Sequence, residues 1–209
     1  SVRQMVKVLT DAQSGVLEDA IRQAEKTTSV EFVVCIKRAS GNDRGIAAGV
    51  GAAVALVALS ALDAWYSESL MVTLPITLLA AIAVFLICDQ LDLGLKLLSA
   101  RLVAKDARRA ARAVFLDHGL DATSQRNAVL LFISRAERYV EVLPDRALAA
   151  AVPAERWTGI VASFREAARQ KGMIQAACDA VAEIGAVCAG PFPAVAGNPD
   201  LISNKPLTE

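Results

Sequence analysis

The stretch Ala128–Val142, AVLLFISRAERYVEV, decides the fold. Ala128 to Ser134 is an unbroken apolar run of strand length, the pattern of a fully buried strand. Arg135-Ala136-Glu137 reads as a turn. Arg138 to Val142 then alternates polar and apolar, as an antiparallel partner does. Pro144-Asp145 stops it. Upstream, Val30 to Ile36 (VEFVVCI) is a second β-branched, apolar run and predicts another largely buried strand. Before it, Thr10 and Gln13 have capping-box spacing, and Leu17, Ile21 and Ala24 recur at helical intervals, predicting a helix over about residues 11–26.

Between the outer strands lie two apolar runs. Gly45 to Leu62 (GIAAGVGAAVALVALSAL) and Ser69 to Cys88 (SLMVTLPITLLAAIAVFLIC) carry no charge. A bilayer core needs roughly 20 apolar residues in a helix. The link from Asp63 to Glu68 holds two acids and Trp65-Tyr66, which suits a polar turn with aromatic residues at the membrane interface. The expectation is a transmembrane hairpin over residues 45–90, with a flexible tail over 194–209. The strands on either side share one sheet only if the hairpin interrupts a single domain, made of residues 1–44 and 91–193.

Basic residues orient the hairpin. Lys26, Lys37, Arg38 and Arg44 precede it; Lys96, Arg101, Lys105 and Arg108 follow it; the link has none. The positive-inside rule places both termini and the soluble domain in the cytoplasm, giving a two-pass protein. Residues 1–44 show no short apolar segment before a small-residue cleavage site, so no secretory leader is expected. Net charge is zero and no nucleic-acid-binding signature is present, so nucleic acid is not an expected partner.

After the second run, helical spacing continues to Gly119, a candidate C-cap, with Leu91, Leu95, Leu98, Leu102, Val114 and Leu116 assigned to one face. Further helices are expected at residues 146–151, from Pro153 to about Lys171, and over 173–189, with Gly172 as the break.

These words resemble the TPM domain, also called the TPM phosphatase domain. They are AARAVFLDHGL at 110–120, RNAVLLFISRAERYVEVLPD at 126–145, Trp157, the closing helix followed by Gly190-Pro191-Phe192-Pro193, and LTDAQSGVLEDAIRQAEKTTSVEFVV near the start. The chain is most similar to the bacterial membrane branch, whose hairpin lies inside the domain. The resemblance implies a small α/β sandwich with a mixed sheet and helices on both faces, sited at the bacterial inner membrane. Relatives act in photosystem repair and as receptor accessories; weak acid phosphatase activity and a calcium site are described for some, so fold alone does not settle function. Where many relatives carry Asp-Asn-Gly, this chain has Arg126-Asn127-Ala128.

Chemistry-bearing residues are sparse. Calcium takes six to eight oxygen ligands, and the local candidates are Asp121, Asn127, Asp145 and Glu137. No cofactor and no catalytic residue is assigned; Asn127 and Asp145 are kept as family loop positions. Asp117-His118 reads as a polar pair at a helix end, and Glu137 and Glu141 as solvated carboxylates. Cys35, Cys88, Cys178 and Cys188 show no CxxC pairing. Lys105, Arg108, Arg109 and Arg112 form a basic stripe suited to anionic lipid headgroups. Gly45, Gly49 and Ala53 make a small-residue row for close packing in the membrane. The function these features favour is a membrane-anchored accessory protein that binds or stabilises an integral membrane complex. The alternatives are a weak metal-dependent acid phosphatase and a self-associating structural membrane protein.

Overall fold

The computed structural model describes residues 9–39, 100–123, 126–194 and 205–208, with positions 49, 52–54, 57, 75, 78–83 and 86. Helix α1 (Asp11–Glu25) begins on a formed capping box. The Gln13 amide donates to Thr10 Oγ1 at 3.3 Å, and the Thr10 amide donates to Gln13 Oε1 at 3.0 Å. Leu17, Ile21 and Ala24 are its buried stripe. Strand β1 (Glu31–Lys37) follows, then α2 (Ala100–Asp117), a 3-10 turn (Leu120–Ala122), β2 (Ala128–Ser134) and β3 (Tyr139–Pro144). Helices α3 (Arg146–Ala151), α4 (Ala154–Lys171) and α5 (Met173–Cys188) lead to β4 (Leu207–Thr208).

The sheet runs β3-β2-β1-β4 and is mixed. β1 is parallel to both β2 and β4, and β3 pairs antiparallel with β2. Period-two alternation divides the core. Phe32, Val34, Val129, Leu131 and Ile133 pack with α1, α4 and α5. Val33, Cys35, Leu130 and Phe132 pack with Ala111 and Val114 of α2 and with Leu120. Helices thus cover both faces of a mixed α/β sheet. The chain divides into two compact units, Ser1–Arg38 with Ala107–Glu209, and Ala39–Asp106; the sheet lies wholly in the first.

Several expectations need correction. Leu116 does not join the apolar face of α2; it is 61% exposed, while Ala107, Ala111 and Val114 are buried. Two residues along a helix turn the side chain about 200°, so Leu116 and Val114 cannot share a face. Strand β3 runs on through Pro144, which an edge strand tolerates. Arg138 belongs to the turn, with φ 50°. The tail, expected to be flexible, supplies β4 beside Cys35 and Ile36.

The two apolar runs lie largely outside the described residues, as do Gly45, Trp65 and Tyr66. The positions that are described between 49 and 86, including Gly49 and Ala53, are helical and mostly exposed. Among the described residues, no helix is long and apolar enough to cross a membrane.

Candidate functional site

Two family loop positions identified from sequence come together where the chain enters β2 and leaves β3. Asn127 is buried and its side-chain amide donates to the Ser29 carbonyl. Its own carbonyl accepts from Glu31 N at 3.3 Å. Asp145 N donates to the Ala128 carbonyl at 2.8 Å, and Asp145 Oδ1 accepts from Arg146 N at 2.6 Å as the N-cap of α3. Thr28, Ser29, Glu31 and Thr123 are buried around this knot. The words that follow α5 close it: the Phe192 carbonyl accepts from Ser29 N at 3.1 Å and from Thr28 Oγ1. Asp145 Oδ2 and Thr123 Oγ1 are buried without a hydrogen-bond partner among the described residues.

Of the calcium ligands proposed by sequence proximity, Glu137 stands apart from Asn127 and Asp145. Glu137 lies in the turn after β2, bonded by the Ser134 hydroxyl, whereas Asn127 precedes β2. Seven strand residues separate the two ends by about 20 Å. Asn127 spends its amide on a main-chain carbonyl, and Asp145 spends one oxygen on a helix cap. No group of three or more His, Cys, Asp or Glu side chains able to hold a metal occurs among the described residues.

The basic stripe is real as a helix face. Lys105, Arg108, Arg109 and Arg112 are exposed on α2, away from Ala107, Ala111 and Val114. Arg108 Nε meets Glu141 Oε1 at 3.1 Å, and the Tyr139 hydroxyl donates to Glu141 Oε2 at 2.8 Å. Glu141 is therefore not the solvated carboxylate expected; its side chain is 13% exposed. Burial, then the hydrogen bond and charge of Glu141, push the Tyr139 phenol up to about 12. His118 caps its own helix, its Nδ1 lying 3.0 Å from the Val114 carbonyl. Burial pushes the Cys188 thiol up to about 11, and burial, joined by the Asp179 charge, raises Cys178; neither is poised as a nucleophile.

Sequence reasoning missed one concavity among the described residues. Arg135 and Arg138, at the two ends of the β2–β3 turn, face Arg165 and Arg169 of α4 across a cleft of about 600 Å³. The turn is closed by Arg138 N donating to the Arg135 carbonyl at 3.2 Å. Phe164 and Met173 add apolar wall. The available signal was the i, i+4 spacing of Arg165 and Arg169, on one face of a helix following a turn bracketed by arginines.

Residues 98–187 match the family model of the TPM domain. The match takes in α2 from Ala100, the β2–β3 hairpin, α3, α4 and nearly all of α5. No curated protein matches the chain. Among solved structures, the chain is similar to the NMR structure of the BA42 protein from the psychrophilic bacterium Bizionia argentinensis sp. nov.. Identity is 16%, the TM-score is 0.63, and all of each chain is covered. At that identity the likeness is one of fold.

Proposed function

We propose that this chain is a membrane-anchored accessory protein, whose TPM-like domain binds or stabilises an integral membrane complex. The two apolar runs span the bilayer of a bacterial inner membrane, and the sheet domain and both termini lie in the cytoplasm. The observation that carries this reading is the exposure of aliphatic side chains on the helical positions between 49 and 86. Val57, Leu78, Leu79 and Leu86 are 70%, 63%, 67% and 53% exposed, and Val54 and Ile82 are also exposed. Each such side chain gains roughly 1.5–3 kcal/mol when moved from water into an apolar medium. So many on so short a stretch call for an apolar cover, and lipid supplies it. The basic face of α2 supports the same reading, since a basic residue near an anionic leaflet contributes about 1 kcal/mol.

The site chemistry favours docking over turnover. The family loop positions serve main-chain bonds and a helix cap, and the buried Cys188 thiol is raised rather than activated. Gly49 and Ala53 offer a small-residue face to a neighbouring membrane helix; a Cβ added at Gly49 meets nothing within 4 Å among the described residues.

The test is topological and biochemical. A reporter after Glu209 should read cytoplasmic, and one inserted at Ser67 external. An external C-terminal signal overturns the orientation, and a soluble chain overturns the anchor. Extraction in mild detergent should recover an integral membrane partner, and Gly49→Leu should reduce that recovery. Recovery of this chain alone, as a homo-oligomer, favours the self-associating structural protein.

A further inference from the structure

The arginine cleft stands apart from the strand-entry knot and from the basic face of α2. It lies at the far end of β2, between the β2–β3 turn and the C-terminal half of α4. Four arginines line it in a chain whose net charge is zero. No carboxylate lines the cleft among the described residues. Acids stand at its border: Glu166 pairs with the lining Arg169 at 3.6 Å in an exposed contact, and Glu137 accepts from the lining Ser134. A guanidinium fork matches two oxygens of a phosphate, and several such forks around one concavity select an anion of more than one charge. The cleft volume is that of a small-molecule site. Phe164 offers an aromatic wall for the uncharged part of such a ligand.

We propose that this cleft binds an organic phosphate of at least two negative charges, held by Arg135, Arg138, Arg165 and Arg169. The backbone at Arg138 is left-handed, with φ 50°, a conformation that non-glycine residues adopt rarely and that recurs where a side chain is held for use. The site binds without turning its ligand over. The two hydroxyl groups at its border are committed, Ser134 to Glu137 and Tyr139 to Glu141, and no His, Asp or Glu lines it among the described residues. The phosphate comes either from a free solute or from a lipid headgroup, and the same four arginines would recognise both. The proposal does not rest on the membrane anchor, so the reporter topology and the binding measurement fail independently.

The experiment is calorimetric titration of the full-length chain, in a neutral detergent, with inorganic pyrophosphate. Saturable binding is expected. It should weaken at least tenfold in the Arg138→Gln/Arg165→Gln double variant and stay unchanged in Arg22→Gln, whose side chain pairs with Asp19 on α1. All three proteins should melt alike, because the substituted side chains are exposed. If the double variant does not fold, Arg165→Gln and Arg169→Gln singly carry the test on an exposed helix face. Competition identifies the source. Displacement of pyrophosphate by ADP indicates a soluble phosphate, and displacement by glycerophosphoglycerol a lipid headgroup; displacement by neither overturns the organic ligand. Absence of saturable binding, or equal binding by wild type and the arginine variants, overturns the site.

Discussion

Asn127 donates its side-chain amide to the Ser29 carbonyl, tying the loop that enters β2 to the loop that enters β1 across nearly a hundred residues of chain. Both residues are buried. Replacing Asn127 by Ala leaves that carbonyl short of a donor in a buried site. The expected cost is about 1–3 kcal/mol in denaturant unfolding. The loss should be the same with and without calcium, because the side chain holds backbone. A loss confined to calcium-containing buffer would assign Asn127 to a metal instead.

Gly185 of α5 lies against Ala24 of α1. A Cβ built at Gly185 would sit 3.2 Å from the Ala24 Cβ, tighter than ordinary van der Waals contact. Gly185→Leu must push the two helices apart or force strained rotamers. Overpacking of that kind costs about 1–3 kcal/mol. Gly159, where an added Cβ meets nothing, is the control. Gly159→Ala should stabilise slightly, since alanine gains up to about 1 kcal/mol over glycine inside a helix. Equal melting shifts for both variants would contradict this packing.

Phe132 is fully buried on the central strand β2. Phe132→Asp places an unpaired charge between the sheet and α2, where desolvation is costly. The variant should lose several kcal/mol of stability, on the order of the whole margin of a small domain. Rapid proteolysis of the variant beside a resistant parent is the readout.

The contribution of sequence is clear for elements set by local rules. The capping box at Thr10, the buried run Ala128–Ser134, the left-handed Gly119 after α2 and the break at Gly172 each follow from one or two residues. Three features depended on partners remote in sequence. Leu207–Thr208 becomes a strand only because β1 leaves an edge open. Glu141 looks solvated until α2 lays Arg108 on it. The arginine cleft joins a turn to a helix nearly thirty residues away, and neither half alone announces a site. Proximity in sequence also misled: Glu137 and Asn127 are ten positions apart, yet a strand holds them at opposite ends of the sheet.

Tyr139 supplies a pH prediction. Its phenol is raised from 10.0 to about 12 by burial and by Glu141. The folded state therefore holds the proton more tightly than the unfolded state. The stabilisation is fully present below pH 10 and is lost as pH rises from about 10 toward 12. Tyr139→Phe should flatten that alkaline decline, while removing the hydrogen bond to Glu141 at all lower pH values. Absorbance titration of the phenolate, against denaturation at matched pH, measures both sides of the linkage. A phenol titrating at its ordinary value in the folded protein would contradict the raised position.

Asp145 separates docking from phosphatase chemistry most directly. One of its oxygens caps α3, and the other is buried without a partner among the described residues. If the residue is structural, Asp145→Ala should cost about 1 kcal/mol, the usual value of a lost N-cap. Asp145→Asn keeps an oxygen for the cap and removes the buried charge, so it should retain most of the stability. Calcium or magnesium should leave the melting temperature of the parent unchanged; a ligand at 100 times its dissociation constant would add about 2.7 kcal/mol and be seen. Phosphatase activity of the purified chain should stay at background with either ion. A metal-dependent turnover that disappears in both Asp145→Asn and Asn127→Ala, while both variants remain folded, would defeat the accessory reading and establish the enzyme in its place.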